Sequence, residues 1–290
     1  MSTLKWAQCF DLAPQFKPMG WYTKAQFGLQ AAREYPNATF NELCLAGDLL
    51  TWLFTVDDTC DRGSAGAEAA VEMKSMLHEF IDILEDRREP SDNKLSLGLV
   101  NVMERFRAIS TPYLYRLLCR HMIDYLNECF FEIDMQLSKY VPSIEKYFEI
   151  RPFGGFYIMF PLVAIFDKLK LPDEVYEHEV VREVELILNL LGCFSNDLHS
   201  AEREKNLDTI GFNLIFIAQR ELNLSYEAAT QYVEDYHAAY LLRLEECLSK
   251  IPFWGKGVNT PLDLYLDGLY TMVRGYDEWA VVDTGRYKSA

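Results

Sequence analysis

Residues 41–61, NELCLAGDLLTWLFTVDDTCD, decide how the chain is read. From Leu43 to Val56 the apolar side chains cover nearly the whole circumference of a helix, the pattern of a central element rather than a peripheral one. The run ends in Asp57, Asp58 and Asp61. Carboxylates at the end of so apolar an element are costly unless something cationic meets them. Asp57 and Asp61 lie four apart and Asp58 three from Asp61. On a helix these oxygens share a face, with roughly 40° of drift per step of four. A second segment repeats the arrangement. Residues 183–194 are again apolar nearly all round, and Asn196-Asp197-Leu198-His199-Ser200-Ala201-Glu202-Arg203-Glu204 follows. Asn196, Ser200 and Glu204 step by four and four, so they too share a face. Two oxygen-rich helix faces that look at each other suit a hard divalent cation, magnesium before calcium, holding an anionic substrate.

Outward from these two stretches the pattern is helical throughout. Apolar residues recur at three-four spacing near 38–62, 65–87, 95–109, 112–139, 143–168, 172–204, 207–222, 225–249 and 260–282. Loop-forming clusters separate them: Arg62-Gly63-Ser64, residues 88–93, Leu171-Pro172-Asp173 and residues 251–257. Thr111-Pro112 and Pro142-Ser143 read as helix starts, because proline fits a first turn. There is no useful strand-period alternation, no internal repeat and no break in composition. The expectation is one all-α domain over 1–290, with a short N-terminal segment at 1–37 and a C-terminal tail at 283–290.

Composition narrows the class. A chain of 290 residues, half of them hydrophobic, can bury a large core. With 28 basic and 44 acidic residues the net charge is -16, which argues against a nucleic-acid partner. An anionic substrate therefore needs a local cationic pocket. Seven cysteines without paired spacing fit a reducing compartment better than a disulfide framework. The start, MSTLKWAQCFDLAP, lacks the apolar core of a signal peptide, and no apolar run reaches the ~18 residues of a membrane span. The expected setting is the cytoplasm.

Taken in order along the chain, these elements resemble the class I terpene synthases of bacterial type, the terpenoid cyclases, from about residue 40 to residue 287. Asp57-Asp58-Thr59-Cys60-Asp61 is similar to the family's aspartate-rich DDxxD element, and Asn196, Ser200 and Glu204 to its NSE triad. Arg151-Pro152-Phe153-Gly154-Gly155, beginning forty-five residues before Asn196, resembles the pyrophosphate-sensor arginine with the linker and effector residues after it. Arg286-Tyr287, preceded by Trp279 and Thr284, resembles the C-terminal arginine-tyrosine pair.

The resemblance implies an all-α fold around a central cavity and ionisation of an allylic diphosphate, with farnesyl diphosphate first and geranylgeranyl diphosphate as the runner-up. It implies three magnesium ions. Asp57, and less strongly Asp58 and Asp61, would hold two; Asn196, Ser200 and Glu204 would hold the third. Arg151, Arg203, Arg286 and the Tyr287 hydroxyl are the diphosphate donors it points to, with Lys205 a weaker candidate. Gly155 would present an effector carbonyl, with Gly154 as linker. The tail around Arg286 is expected to order on diphosphate binding and exclude water. Phe54, three residues before Asp57, is expected to face a hydrocarbon pocket, together with Phe153 and Trp279. A homodimer follows by analogy only.

Where the family often carries Gly-Asn before the C-terminal tryptophan, this chain has Gly275-Tyr276, which brings a phenol toward the pocket. The first acidic element also arrives early, leaving a short N-terminal segment that includes Trp21 and Tyr22. His178, between Glu177 and Glu179, reads as decoration on a solvated face, and His199 is assigned no role. Two readings of other classes stay open: a trans-prenyl diphosphate synthase, which would carry a second DDxxD where residues 196–204 have none, and a non-catalytic helical binding protein.

Overall fold

The computed structural model describes residues 2–12, 20–60, 66–205 and 211–287. Among these the chain forms fourteen α-helices and no strand. They are α1 (Thr3–Cys9), α2 (Gly20–Ala25), α3 (Phe27–Glu34), α4 (Phe40–Cys60), α5 (Ala67–Leu84), α6 (Lys94–Ile109) and α7 (Pro112–Ser138). Then come α8 (Ile144–Ile150), α9 (Phe160–Phe166), α10 (Asp173–Tyr176), α11 (Glu179–Glu204), α12 (Leu214–Glu221), α13 (Tyr226–Leu248) and α14 (Lys256–Glu278). A π-helical turn, Trp279–Asp283, continues α14 into the tail.

Helix starts follow the expected chemistry. Thr111 accepts a hydrogen bond from Leu114 N at 3.2 Å with Pro112 in the first turn, and Ser143 accepts from Lys146 N at 3.1 Å. α4 is central: it packs on α1, α3, α6 and α7 and buries residues on every side. Trp52, fully buried, donates from Nε1 to Leu95 O at 2.9 Å and meets the Phe80 ring edge-on. α11 is apolar all round because it divides two cores. Val181, Val184, Leu188 and Leu191 face the larger one, while Leu190, Phe194 and Ala201 face a smaller one built with α8, α12 and α13. No helix among the described residues is long and apolar enough to cross a membrane. All seven cysteines are free thiols.

Three helix expectations need correction. Residues 143–168 are not one helix but α8 and α9, separated by nine residues of turns at 151–159. Pro152 and two glycines end α8 outright, since proline cannot donate and glycine disfavours a helix interior. Residues 172–204 divide at His178, whose Nδ1 accepts from Val180 N at 3.3 Å and caps α11. The N-terminal segment also folds more than periodicity suggested, into α1, α2 and α3. The Tyr22 hydroxyl donates to Leu12 O at 2.6 Å and lies 2.9 Å from Thr55 Oγ1. Residues 206–210, the start of the window at 207–222, lie outside the described residues.

Buried acid groups leave a pH signature. Glu185 on α11 accepts from the Tyr265 hydroxyl at 2.8 Å, and burial pushes its carboxyl up to about 7, against the lowering effect of that bond. The folded chain therefore keeps the proton to a higher pH than the unfolded chain does. This contribution to stability is complete below about pH 4.5 and is lost as pH rises toward 7, at ~1.4 kcal/mol per pH unit. Glu185→Gln is expected to flatten the fall of the thermal midpoint between pH 5 and 7. A variant slope as steep as the wild type's would place the effect elsewhere.

Candidate active site

The last turn of α4 and the last two turns of α11 form opposite walls of a cavity of about 200 Å³. Phe54 and Asp57 line it from α4; Asn196, Ser200, Arg203 and Glu204 line it from α11. The walls meet where Arg203 of α11 comes within 4.0 Å of Asp58 Oδ1. Period-four spacing on α11 sets the three oxygen donors on one face, as their separation requires.

Arg151 stands at the end of α8, where the turns begin. Its guanidinium donates to Asn196 Oδ1 at 2.8 Å and to Asp197 Oδ1 at 3.0 Å from the same nitrogen, and to Gly154 O at 3.3 Å. Asp197 is buried and also accepts from the Tyr147 hydroxyl and from Leu214 N, each at 2.8 Å. The pair thus locks the arginine while leaving its outer edge on the cavity.

The broken segment is held from α11. Asn189 donates to Pro152 O at 2.8 Å and accepts from Phe156 N, so one buried amide replaces the helix bonds that the break removes. The glycines allow the close approach. A Cβ on Gly154 would lie 2.6 Å from the Glu128 carboxylate; one on Gly155 would lie 2.6 Å from Cys193 Sγ and closer still to Asn189 Oδ1. Gly155→Ala must therefore displace Asn189, with an expected cost of about 1–3 kcal/mol. Thermal melts measure it; an unchanged midpoint would mean that the break yields freely.

The tail lies across both walls. Arg286 is buried, with its guanidinium 3.3 Å from Asp57 and from Asp58, and 4.7 Å from the centre of the Phe54 ring. Gly285 N donates to Lys24 O at 2.8 Å, and Arg33 pairs with Asp283 and Glu278, which ties the tail to α2 and α3. The Tyr287 hydroxyl is 3.1 Å from that of Tyr276 and accepts from Asn196 Nδ2 at 3.3 Å. Burial raises the Asp57 carboxyl above its ordinary range; Arg286 opposes this and the Asp58 charge adds to it.

Most of the residues singled out in the sequence come together here, with five exceptions. Asp58 is buried and faces Arg286 and Arg203 rather than the cavity. Asp61 lies outside the described residues. Lys205, one step past the inward face of α11, sits over the Tyr226 ring and near Glu202, off the cavity. Phe153 is a correction: the turn before the two glycines sends it outward, 39 % exposed, into a surface groove with His121 and Tyr157. Trp279 is a second correction. It is fully buried behind the lining, packed on Phe54 and Tyr287, and its Nε1 donates to Ala25 O at 2.8 Å.

Sequence reasoning misses two residues. Asp197 sits inside the second motif, and nothing local signals its lock on Arg151. Asn213 caps α12 through Ile215 N at 3.0 Å, while its amide nitrogen reaches Ser200 Oγ at 3.4 Å and Glu204 Oε2 at 3.1 Å. Its place before an apolar run signals a cap, and nothing in the sequence signals the second duty. Tyr276 does reach the lining, and accepts from Asn196 Nδ2 at 2.6 Å. His199, given no role, lies 3.2 Å from Asp277.

The donor chemistry fits a hard cation. No group of three His, Cys, Asp or Glu side chains gathers among the described residues, so a metal here would draw on asparagine and serine oxygens as well. Asn196 Oδ1, Ser200 Oγ, Glu204 and Asp57 each face an N–H or guanidinium, the polarity that a divalent cation would replace. Sparse oxygen ligands suit a cation that completes its shell with water and substrate phosphate.

Known proteins are similar to this chain in sequence or in fold. Germacrene A synthase of Nostoc punctiforme is 26% identical over 96% of this chain and 86% of its own length. (+)-T-muurolol synthase of Roseiflexus castenholzii is 28% identical over 98% of this chain and 86% of its own. The crystal structure of linalool/nerolidol synthase from Streptomyces clavuligerus, in complex with 2-fluorogeranyl diphosphate, superposes with a TM-score of 0.86, at 21% identity and 96% coverage of both chains. A family model described as terpene synthase family 2, C-terminal metal binding, matches residues 48–242. With more than half of its length matched, the chain belongs to terpene synthase family 2 and is an enzyme of that metal-binding class.

Proposed function

We propose that the protein ionises farnesyl diphosphate with the help of magnesium and cyclises the resulting allylic cation to a sesquiterpene. One observation carries this reading: oxygen donors on α4 and α11 and the guanidinium groups of Arg151, Arg203 and Arg286 border one cavity whose remaining walls are largely apolar and aromatic. The roughly matched relatives support the substrate, since the muurolol synthase is named as cyclising (2E,6E)-farnesyl diphosphate.

Asp57 on one wall and Asn196, Ser200 and Glu204 on the other would hold the metal. Bound there, magnesium supplies positive charge to the departing diphosphate. The chain's own residues do the rest. Arg151, already oriented by Asp197, offers its free edge to a diphosphate oxygen, and Arg286 exchanges Asp57 for the same anion. Asp58 stays behind as the counter-charge that keeps Arg286 and Arg203 in place. Tyr287 donates its hydroxyl, and the tail shuts water out before the cation forms. Phe54, Tyr125, Phe156 and Tyr276 present aromatic lining, and a cation over such a face gains ~0.5–2 kcal/mol without meeting a strong nucleophile.

The test is incubation with magnesium and geranyl, farnesyl or geranylgeranyl diphosphate, following diphosphate release and analysing the organic phase by gas chromatography–mass spectrometry. Release with farnesyl diphosphate, a C15 product and loss of both on chelation are expected. Elongation with isopentenyl diphosphate, or no release from any of the three, would overturn the reading.

A further inference from the structure

On the cavity wall contributed by α3 lies a polar pair that has no part in the diphosphate contacts described above. Gln30 and Glu34 both line the cavity, are 2 % and 1 % exposed, and lie one helical turn apart. Gln30 Nε2 donates to Glu34 Oε1 at 2.7 Å. The other two polar atoms of the pair, Glu34 Oε2 and Gln30 Oε1, are buried and have no hydrogen-bond partner. Leu50, Leu53, Ile158 and Met159 line the same cavity, and the basic residue next to Glu34 in sequence, Arg33, is turned to Asp283 and Glu278.

An acid group buried without a cation is expensive as a carboxylate, and a hydroxyl or carbonyl buried without a partner is a standing cost as well. Such groups persist where something arrives to use them. Burial pushes the Glu34 carboxyl up to about 8, with the Gln30 bond opposing, so the group carries its proton at neutral pH. Because Oε1 accepts from Gln30, the proton belongs on Oε2, the oxygen with no partner.

We propose that Glu34, oriented by Gln30, is an internal acid–base residue that protonates a neutral cyclic olefin formed in the cavity and then takes a proton back from the cation so made. The inference rests on the cyclase reading. In the first step the olefin π pair forms a C–H bond with the Oε2 proton, and the O–H electrons stay on the carboxylate. In the second, the carboxylate removes a proton from a carbon next to the cationic centre, and that C–H pair becomes the new double bond. The net change is isomerisation or further ring closure of the olefin, with Glu34 restored and no co-reactant consumed. Gln30 is a positioning residue: its amide selects the oxygen that carries the proton.

The proton delivered in the first step comes from an exchangeable group, which makes it traceable. Protein equilibrated in D2O and used in excess over farnesyl diphosphate with magnesium is expected to give a product carrying a single solvent-derived deuterium on carbon. General acid catalysis is worth ~10²–10⁴-fold, so Glu34→Gln should lower the labelled product at least about 100-fold relative to an unlabelled, less cyclised olefin. The label is read per diphosphate released, so that a general loss of turnover in the variant is not counted as loss of the proton cycle. Unlabelled wild-type product, or label retained in Glu34→Gln, would overturn the proton cycle alone. Absence of diphosphate release from the wild type would overturn the cyclase reading beneath it.

Discussion

Asp197→Ala is expected to destabilise the fold by about 3–5 kcal/mol, the range for removing one partner of a buried ion pair. At roughly 2–4 °C per kcal/mol for a chain of this size class, the thermal midpoint falls by roughly 6–20 °C. The change strands the buried Arg151 guanidinium, which keeps its charge, and leaves the Tyr147 hydroxyl and Leu214 N without their acceptor. Removing both ends of the pair tests the cause. Arg151→Leu combined with Asp197→Leu should recover much of the loss, because an apolar pair carries no uncompensated buried charge. Thermal denaturation followed by circular dichroism measures both variants. A single variant within about 1 kcal/mol of wild type would mean that the pair contributes little. The double variant should remain inactive, since Arg151 is also the group that fixes Asn196.

Asn196→Ala carries the largest effect expected on turnover. It removes an oxygen donor from the α11 wall, an acceptor from Arg151 and a donor to both Tyr276 and Tyr287. A loss of at least about 10²–10³-fold in kcat/KM for diphosphate release is expected, comparable with deleting one preorganised electrostatic contact. Helical content should stay at the wild-type level, because Asn196 is not part of either core. Tyr276→Phe separates two parts of this effect. It leaves the amide oxygen in place and removes a hydroxyl that holds the amide nitrogen, so a smaller loss, about tenfold, is expected. Wild-type turnover by Asn196→Ala would remove that residue from the site.

Both predictions depend on neighbours far away in sequence, and this marks how far the residues could be read. Helix existence was legible from about residue 38 onward, since three-four periodicity is a local property; α1, α2 and α3 were not foreseen. The grouping of Asn196, Ser200 and Glu204 was legible too, because one helix fixes the angles among its own side chains. Proline and two glycines make 152–155 a poor helix interior, and the chain breaks there fully between α8 and α9. Asn189 stabilises that break from thirty-seven residues away, a partner that no local pattern identifies.

Side-chain direction was the harder matter. Asp57 and Asp58 are adjacent and chemically alike, yet one faces the cavity and the other is buried against Arg286, two hundred and twenty-eight residues later. Phe153 and Trp279 are both aromatic and close to motif residues, but one turns to solvent and the other packs behind the lining. Composition and spacing sufficed for the all-α class, the two oxygen-bearing helices and the family resemblance, because each depends on the order of residue types along the chain. The rotation of each helix, the lock of Asp197 on Arg151, the second duty of Asn213 and the buried Gln30–Glu34 pair required the packed structure. Those features are set by which desolvated groups meet across helices, and that balance exists only once the helices have closed around a common cavity.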